Sequence, residues 1–250
     1  MDLGLTGKVA LVTGGRRGIG AAVARTLAAE GCDVAIVDRD ADDAGRAVVR
    51  DVEAAGRRAL LLAADVREVA TAERIVGEVV ARLGRLDVLV CCAGITADGM
   101  VWKLTEAKWD DVLDVNLKGY FAYTRACAAV FKAQRAGRIV NVASINGLRG
   151  KPGQANYAAS KGGVIAFTKA VAREMGRYDV TVNAIAPGMV ETAMTRALPA
   201  EVLEQAVRET ALGRLGTPED CANLIAFLCS TTARHITGAV ITVDGGQMMA

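Results

Sequence analysis

Few of the groups that non-redox chemistries use are present. The 250-residue sequence holds one histidine, His235, close to its C-terminus, and no Gly-x-Ser-x-Gly to make it a hydrolase base. Its six cysteines (Cys32, Cys91, Cys92, Cys127, Cys221, Cys229) show neither Cys-x-x-Cys nor metal-ligand spacing. They read as small buried hydrophobes in a reducing cytoplasm. Carboxylates are plentiful but spread along helical stretches, with no metal cluster. No five like charges run together and the net charge is +2, so nucleic acid and anionic membrane are not expected partners. No apolar run approaches the ~20 residues that span a bilayer. The N-terminus lacks a basic segment followed by an apolar one, so no signal peptide is expected. The four prolines (Pro152, Pro187, Pro199, Pro218) fall in proposed connections or at helix starts. There is no repeat, low-complexity tract or linker.

What is present is apolar residue in quantity, 52% of the chain, in a length that suits one α/β domain. Strand-like runs at 8–13, 33–38, 58–62, 86–91, 138–143, 180–185 and 239–243 alternate with helical patterns near 17–30, 41–55, 67–83, 105–134, 155–176 and 218–229. Thr105 and Thr217-Pro218 mark two helix starts. Runs apolar on both faces, such as Leu86-Asp87-Val88-Leu89-Val90, suit a parallel sheet covered on both sides. The expectation is a single-domain α/β fold, a Rossmann-type doubly wound parallel sheet of about seven strands. Its cofactor-binding half spans about 1–135 and its catalytic and substrate half about 136–250. The stretch 188–216 leaves the carboxyl edge of the sheet as a long excursion. It is either a substrate flap or a surface insertion.

Between the first strand and first helix lies Thr13-Gly14-Gly15-Arg16-Arg17-Gly18-Ile19-Gly20, with glycines spaced G-x3-G-x-G. Glycine there permits a tight turn and close approach to a pyrophosphate, which the helix N-terminus attracts. Asp38 follows 18 residues after Gly20, where a carboxylate can accept from the adenosine ribose hydroxyls. That favours NAD(H). Arg17 and Arg39 could pair instead with a 2′-phosphate, so NADP(H) stays the alternative. Asp65, before Val66, is either an adenine contact or a helix cap, or both.

Tyr157 and Lys161 are one helical turn apart, and Ser144 lies thirteen residues before Tyr157. An ammonium ~4 Å from the phenol is worth roughly 4 kcal/mol at an effective dielectric of ~20, about 3 pKa units. Lys161 is thereby expected to bring Tyr157 toward neutral working range as the proton donor to a ketone oxygen. Ser144, just past the fifth strand, can stabilise the charge on that oxygen.

In this assembly the chain resembles the short-chain dehydrogenase/reductases over nearly its whole length. The glycine turn, Asn116, Ser144, Tyr157-x3-Lys161 and Pro187-Gly188 occur in the family order. Within the family it is most similar to 3-oxoacyl-carrier-protein reductases. The supporting stretches are Gly153-Gln154-Ala155-Asn156-Tyr157-Ala158-Ala159, Asn183 to Gly188, Glu191-Thr192-Ala193-Met194-Thr195, Gly213-Arg214-Leu215-Gly216 and Ile236-Thr237-Gly238.

The resemblance implies that Lys161 also holds the nicotinamide ribose. Asn116 would form a local helix kink, its carbonyl holding a water that re-protonates Lys161. The cofactor-binding set would comprise Gly14, Arg16, Arg17, Gly18, Ile19, Gly20, Asp38, Arg39, Asp65, Val66, Cys92, Ala93, Gly94, Tyr157, Lys161, Pro187, Gly188, Val190 and Thr192. Ser144, Ile145, Asn146, Leu148, Gln154, Tyr157 and Met189 would face substrate. Arg135 and Arg177 are candidate docking residues for an acyl carrier protein at the mouth, or simply charges at helix C-termini. A homotetramer is implied, with the tail from Val240 to Met249 helping to pack it.

Two departures stand out. Cys91-Cys92 replaces the family's usual Asn-Asn, and a thiol is a weak hydrogen-bond partner. Asp38 is the other, because carrier-protein reductases commonly prefer NADP. The expected substrate is a 3-oxoacyl thioester or a small ketone or alcohol. The rivals are an alcohol or hydroxysteroid-type dehydrogenase, a dinucleotide-sensing regulator without turnover, and a carrier-binding scaffold.

Overall fold

The computed structural model describes residues 2–249, apart from the side chain of Met194. Seven parallel strands form one sheet: β1 (Val9–Thr13), β2 (Asp33–Asp38), β3 (Ala59–Ala63), β4 (Val88–Cys91), β5 (Gly137–Val142), β6 (Val180–Pro187) and β7 (Val240–Val243). Their order is β3-β2-β1-β4-β5-β6-β7. The order reverses between β1 and β4, and the crevice outside the strand ends at that point is where such sheets bind ligands.

Strand residues alternate between two separate cores. Val9 and Leu11 of β1 face one, and Ala10 and Val12 face the other. The first core is covered by α3 (Val69–Leu83), α5 (Gly119–Gln134) and α7 (Ala155–Met175). The second is covered by α1 (Gly18–Ala29), α2 (Asp43–Ala54) and α10 (Pro218–Cys229). All five residues of β1 are buried, as the run's lack of polar alternation requires.

Thr217 caps α10 through Asp220 N–H, with Pro218 in the first turn. Thr105 likewise caps α4 (Glu106–Leu113). The helical stretch expected over 105–134 is interrupted. A π-helical turn, Asp114–Lys118, joins α4 to α5. The wider turn rotates Asn116 inward, where it is wholly buried. Its amide bonds the backbone of Ile95 in both directions (Ile95 N to Oδ1, 2.8 Å; Nδ2 to Ile95 O, 3.0 Å) and donates to Ser160 Oγ at 3.1 Å.

After β6 the chain makes a short helix α8 (Ala193–Arg196), capped by Thr192, and an amphipathic helix α9 (Ala200–Glu209). Val190 bridges back to Gly216. The 188–216 excursion is thus a closed, largely helical arch over the strand ends. Among the described residues, no helix is long and apolar enough to cross a membrane.

Candidate active site

A large cleft of about 1420 Å³ runs along the carboxyl ends of the strands. The catalytic, cofactor and substrate residues expected from the sequence line it, with two exceptions. Leu148 is 43% exposed and does not line it, because the one-turn helix α6 (Asn146–Arg149) turns that side chain outward. Asn116 lies beneath the lining.

The glycine turn is shaped by contacts that no side chain could share. Gly14 and Gly18 have φ of 66° and 54°. A Cβ on Gly14 would lie 2.7 Å from the Ala93 backbone, and one on Gly20 only 2.1 Å from the Gly14 carbonyl oxygen. Arg17 precedes α1 without a side-chain cap, and the first turn holds no acidic residue. The free N–H groups and open backbone fit the pyrophosphate of a dinucleotide. Gly20→Ala is expected to destabilise the chain by about 1–3 kcal/mol and to abolish measurable cofactor binding. Thermal unfolding and cofactor fluorescence titration check both effects.

Asp38 closes β2 at one end of the cleft, with Arg39 beyond it. Arg39 is 78% exposed, its Nε 3.7 Å from Asp40. Asp65 does not cap α3; Glu68 holds that position. Asp65 instead accepts from the Arg67 backbone and guanidinium, which hold its carboxyl below the usual range. Val66 lines the cleft beside them.

At the Cys91-Cys92 departure, backbone N–H groups tie the strand end to Thr13. Cys92 N donates to Thr13 O at 3.1 Å, and Cys92 N and Ala93 N lie 3.3 and 3.4 Å from Thr13 Oγ1. Cys91 packs in the core, and burial pushes both thiols up, away from thiolate chemistry.

Ser144, Tyr157 and Lys161 meet at the other end of the cleft. Lys161 lies under the Tyr157 ring, its Nζ 5.8 Å from the centroid, so both point to one side of α7. Lys161 is not among the groups that shift the Tyr157 phenol, contrary to the expected direct lowering. Burial raises the Tyr157 phenol, the Ser144 hydroxyl lowers it, and Asp98 raises it. Burial brings Lys161 down from 10.5 to about 8. Its ammonium donates to Val142 O at 2.7 Å and to Tyr120 Oη at 3.2 Å instead of to Tyr157. Tyr120 Oη itself donates to Val142 O at 3.0 Å.

A polar belt surrounds the end that holds Ser144 and Tyr157. Asn146 Nδ2 donates to Gln154 Oε1 at 3.0 Å, and Gln154 Nε2 donates to the Asp98 carboxylate at 3.1–3.2 Å. Arg149 links Asn146 Oδ1 to Glu209 of α9 (3.3 and 3.6 Å). Gln247 joins Glu209 to the Met189 backbone. Tyr120 carried a legible signal, one turn beyond Asn116 in the sequence. Asp98, Arg149, Lys151 and Gln247 carried none, since only the fold brings three separate segments to one rim.

Arg135 and Arg177 are not at the mouth. Arg135 lies two residues before β5 and Arg177 three residues before β6, at the opposite edge of the parallel sheet. Arg135 Nη2 donates to Arg177 O at 3.2 Å. A six-residue strand separates that edge from the cleft by about 20 Å.

A family model described as enoyl-(acyl carrier protein) reductase matches residues 14–248. The chain belongs to the short-chain dehydrogenase/reductase family. Like other members, it is an oxidoreductase that interconverts a ketone and a secondary alcohol with a nicotinamide dinucleotide. It is 44% identical over 242 residues to a 3-oxoacyl-[acyl-carrier-protein] reductase of Staphylococcus aureus, covering 97% of this chain and 98% of that one. To the enzyme of the same name from Escherichia coli it is 40% identical over 243 residues, covering 97% and 98%. A solved structure from Sinorhizobium meliloti, described as a short-chain alcohol dehydrogenase, matches with TM-score 0.95 and 36% identity over 99% of this chain and 98% of that one.

Proposed function

We propose that this chain reduces the keto group of a 3-oxoacyl thioester, with NAD(H) as the preferred cofactor. The observation that carries this reading is the meeting of Ser144, Tyr157 and Lys161 at one end of a cleft whose other end is walled by Asp38. When bound, the nicotinamide supplies the hydride to the keto carbon. Ser144 Oγ donates to the substrate oxygen and Tyr157 Oη gives it the proton. Lys161, held by Val142 O and Tyr120, keeps its positive charge beside the phenolate left behind. Asn116 orders Ile95 and Ser160 around that charge. The roles of these four residues, and those of the cleft-lining cofactor set, belong to this reading.

Arg149 and Lys151 at the mouth are the cations that the phosphate of a thioester arm would meet, whether the arm belongs to a carrier protein or to coenzyme A. The test measures NADH and NADPH oxidation with acetoacetyl thioesters on both carriers and with simple ketones. Thioesters are expected to outpace the ketones, and NADH to outpace NADPH. Faster turnover of simple ketones would overturn the thioester assignment. Asp38 equally favours a second reading, an NAD-dependent alcohol or hydroxysteroid-type dehydrogenase, which would oxidise alcohols in the same panel.

The assembly we propose is a homotetramer. Met100, Val101, Trp102, Trp109 and Phe121 are exposed around α4 and α5, and β7 is an edge strand. Light scattering should give four times the 26.0 kDa chain mass; a monomer would refute it.

A further inference from the structure

Arg16 sits in the glycine turn, where a cation invites assignment to a cofactor phosphate. Its surroundings say otherwise. The side chain is only 9% exposed and three carboxylates converge on it. Its Nε lies 3.5 Å from Asp38 Oδ1, and Nη1 lies 3.3 Å from Asp40 Oδ2. Nη1 also donates to Asp42 Oδ2, and the Arg16 backbone N–H donates to Asp38 Oδ2 at 3.3 Å. The carboxylates come from three places: the end of β2, the loop after it, and the N-cap of α2.

We propose that Arg16 is an internal counterion and positioning residue for cofactor choice: Asp38, Asp40 and Asp42 hold its guanidinium in the adenosine wall. So held, it steadies Asp38 for two ribose hydroxyls and withholds its charge from a 2′-phosphate. The inference rests on the NAD(H) reading above.

The geometry has a two-sided consequence. Asp38 is steadied at both oxygens: Oδ2 accepts from the Arg16 backbone N–H, and Oδ1 accepts from the Arg39 N–H at 2.9 Å with Arg16 Nε at ion-pair distance. Its carboxylate is therefore preorganised as an acceptor. A 2′-phosphate would add two negative charges to a cluster of three carboxylates. To bind, it would have to draw Arg16 out of all three contacts and replace them with its own. A ribose hydroxyl asks for no such rearrangement. Asp40 and Asp42 are themselves half exposed, 50% and 44% in their side chains, so each alone is a weak ion pair. Their effect lies in converging on one buried cation.

The test titrates NADH and NADPH by fluorescence against the intact chain without substrate. It compares wild type, Arg16→Met and the double variant Asp40→Asn/Asp42→Asn. Asparagine at 42 can still cap α2, so the double variant is expected to keep its fold, which thermal unfolding checks. Arg16→Met is expected to weaken NADH binding about fivefold, by loosening a charge-assisted contact, without improving NADPH. In a separate turnover assay with an acetoacetyl thioester, the loss should appear in KM for NADH rather than in kcat. The double variant frees Arg16 and should tighten NADPH binding roughly tenfold. Wild type that favours NADH, with both variants leaving the NADH/NADPH ratio unchanged, would overturn the inference while sparing the cofactor reading. Wild type that binds NADPH more tightly would sink the cofactor reading, and the clamp as a barrier with it.

Discussion

Tyr157→Phe is expected to lower kcat for ketone reduction by about 10²–10⁴-fold, the range a positioned general acid contributes. The substitution removes one oxygen and leaves the ring that lies over Lys161. It touches neither the glycine turn nor Asp38, so the Kd for NADH should stay within about twofold of wild type, as expected of an interaction made at the transition state. A stopped assay and a fluorescence titration on the same preparation separate the two quantities. Undiminished turnover would remove Tyr157 from the chemistry. Wild type that binds NADH firmly but turns over no substrate would instead favour a dinucleotide sensor.

Lys161→Met should stop turnover and at the same time stabilise the fold. The ammonium is buried against α7, β5 and Tyr120, and its pKa falls from 10.5 to about 8. Below pH 8 both the folded and unfolded chains carry the proton, and the folded chain bears the full cost of the buried charge. From pH 8 to 10.5 the unfolded chain binds more protons, so wild-type stability rises with pH. Above 10.5 the cost is gone. The shift corresponds to roughly 3 kcal/mol. Methionine nearly matches lysine in volume, and Val142 O keeps its bond from Tyr120. The gain at pH 7 should therefore be about 1–3 kcal/mol, read as a higher Tm, and should shrink toward zero near pH 10.5. A variant less stable than wild type at pH 7 would show that Lys161 is held as part of the packing rather than against a desolvation cost. The same titration predicts that reduction slows above pH 8, as the charge beside the Tyr157 phenolate is lost.

The alternation of short two-faced apolar runs with helical patterns determined the class of fold. Periodicity reports burial on one or both faces, and that is a local property. The glycine turn, Asp38, Ser144 and the Tyr157–Lys161 spacing were legible for a related reason: each depends on neighbours a few residues away or on a strand end. The long helix over 105–134 read as continuous because a π turn keeps helical periodicity on both sides. A kink at Asn116 was implied by the family resemblance alone; the π turn and the buried amide bonded to Ile95 and Ser160 give its form.

Charges were the least readable part. Arg135 and Arg177 looked available to a partner at the mouth, yet the direction of a parallel strand puts them at the far edge. Arg16 stood among the expected cofactor contacts, yet three carboxylates, 22 to 26 residues away in the chain, close around it. The partners of Lys161 came from β5 and α5, whose approach no spacing along α7 predicts. The sequence by itself determined which elements form and which groups stand at their ends. Tertiary structure decided which of those groups share a dielectric and a counterion, because Coulomb energies and desolvation depend on distance and burial in space rather than on separation along the chain.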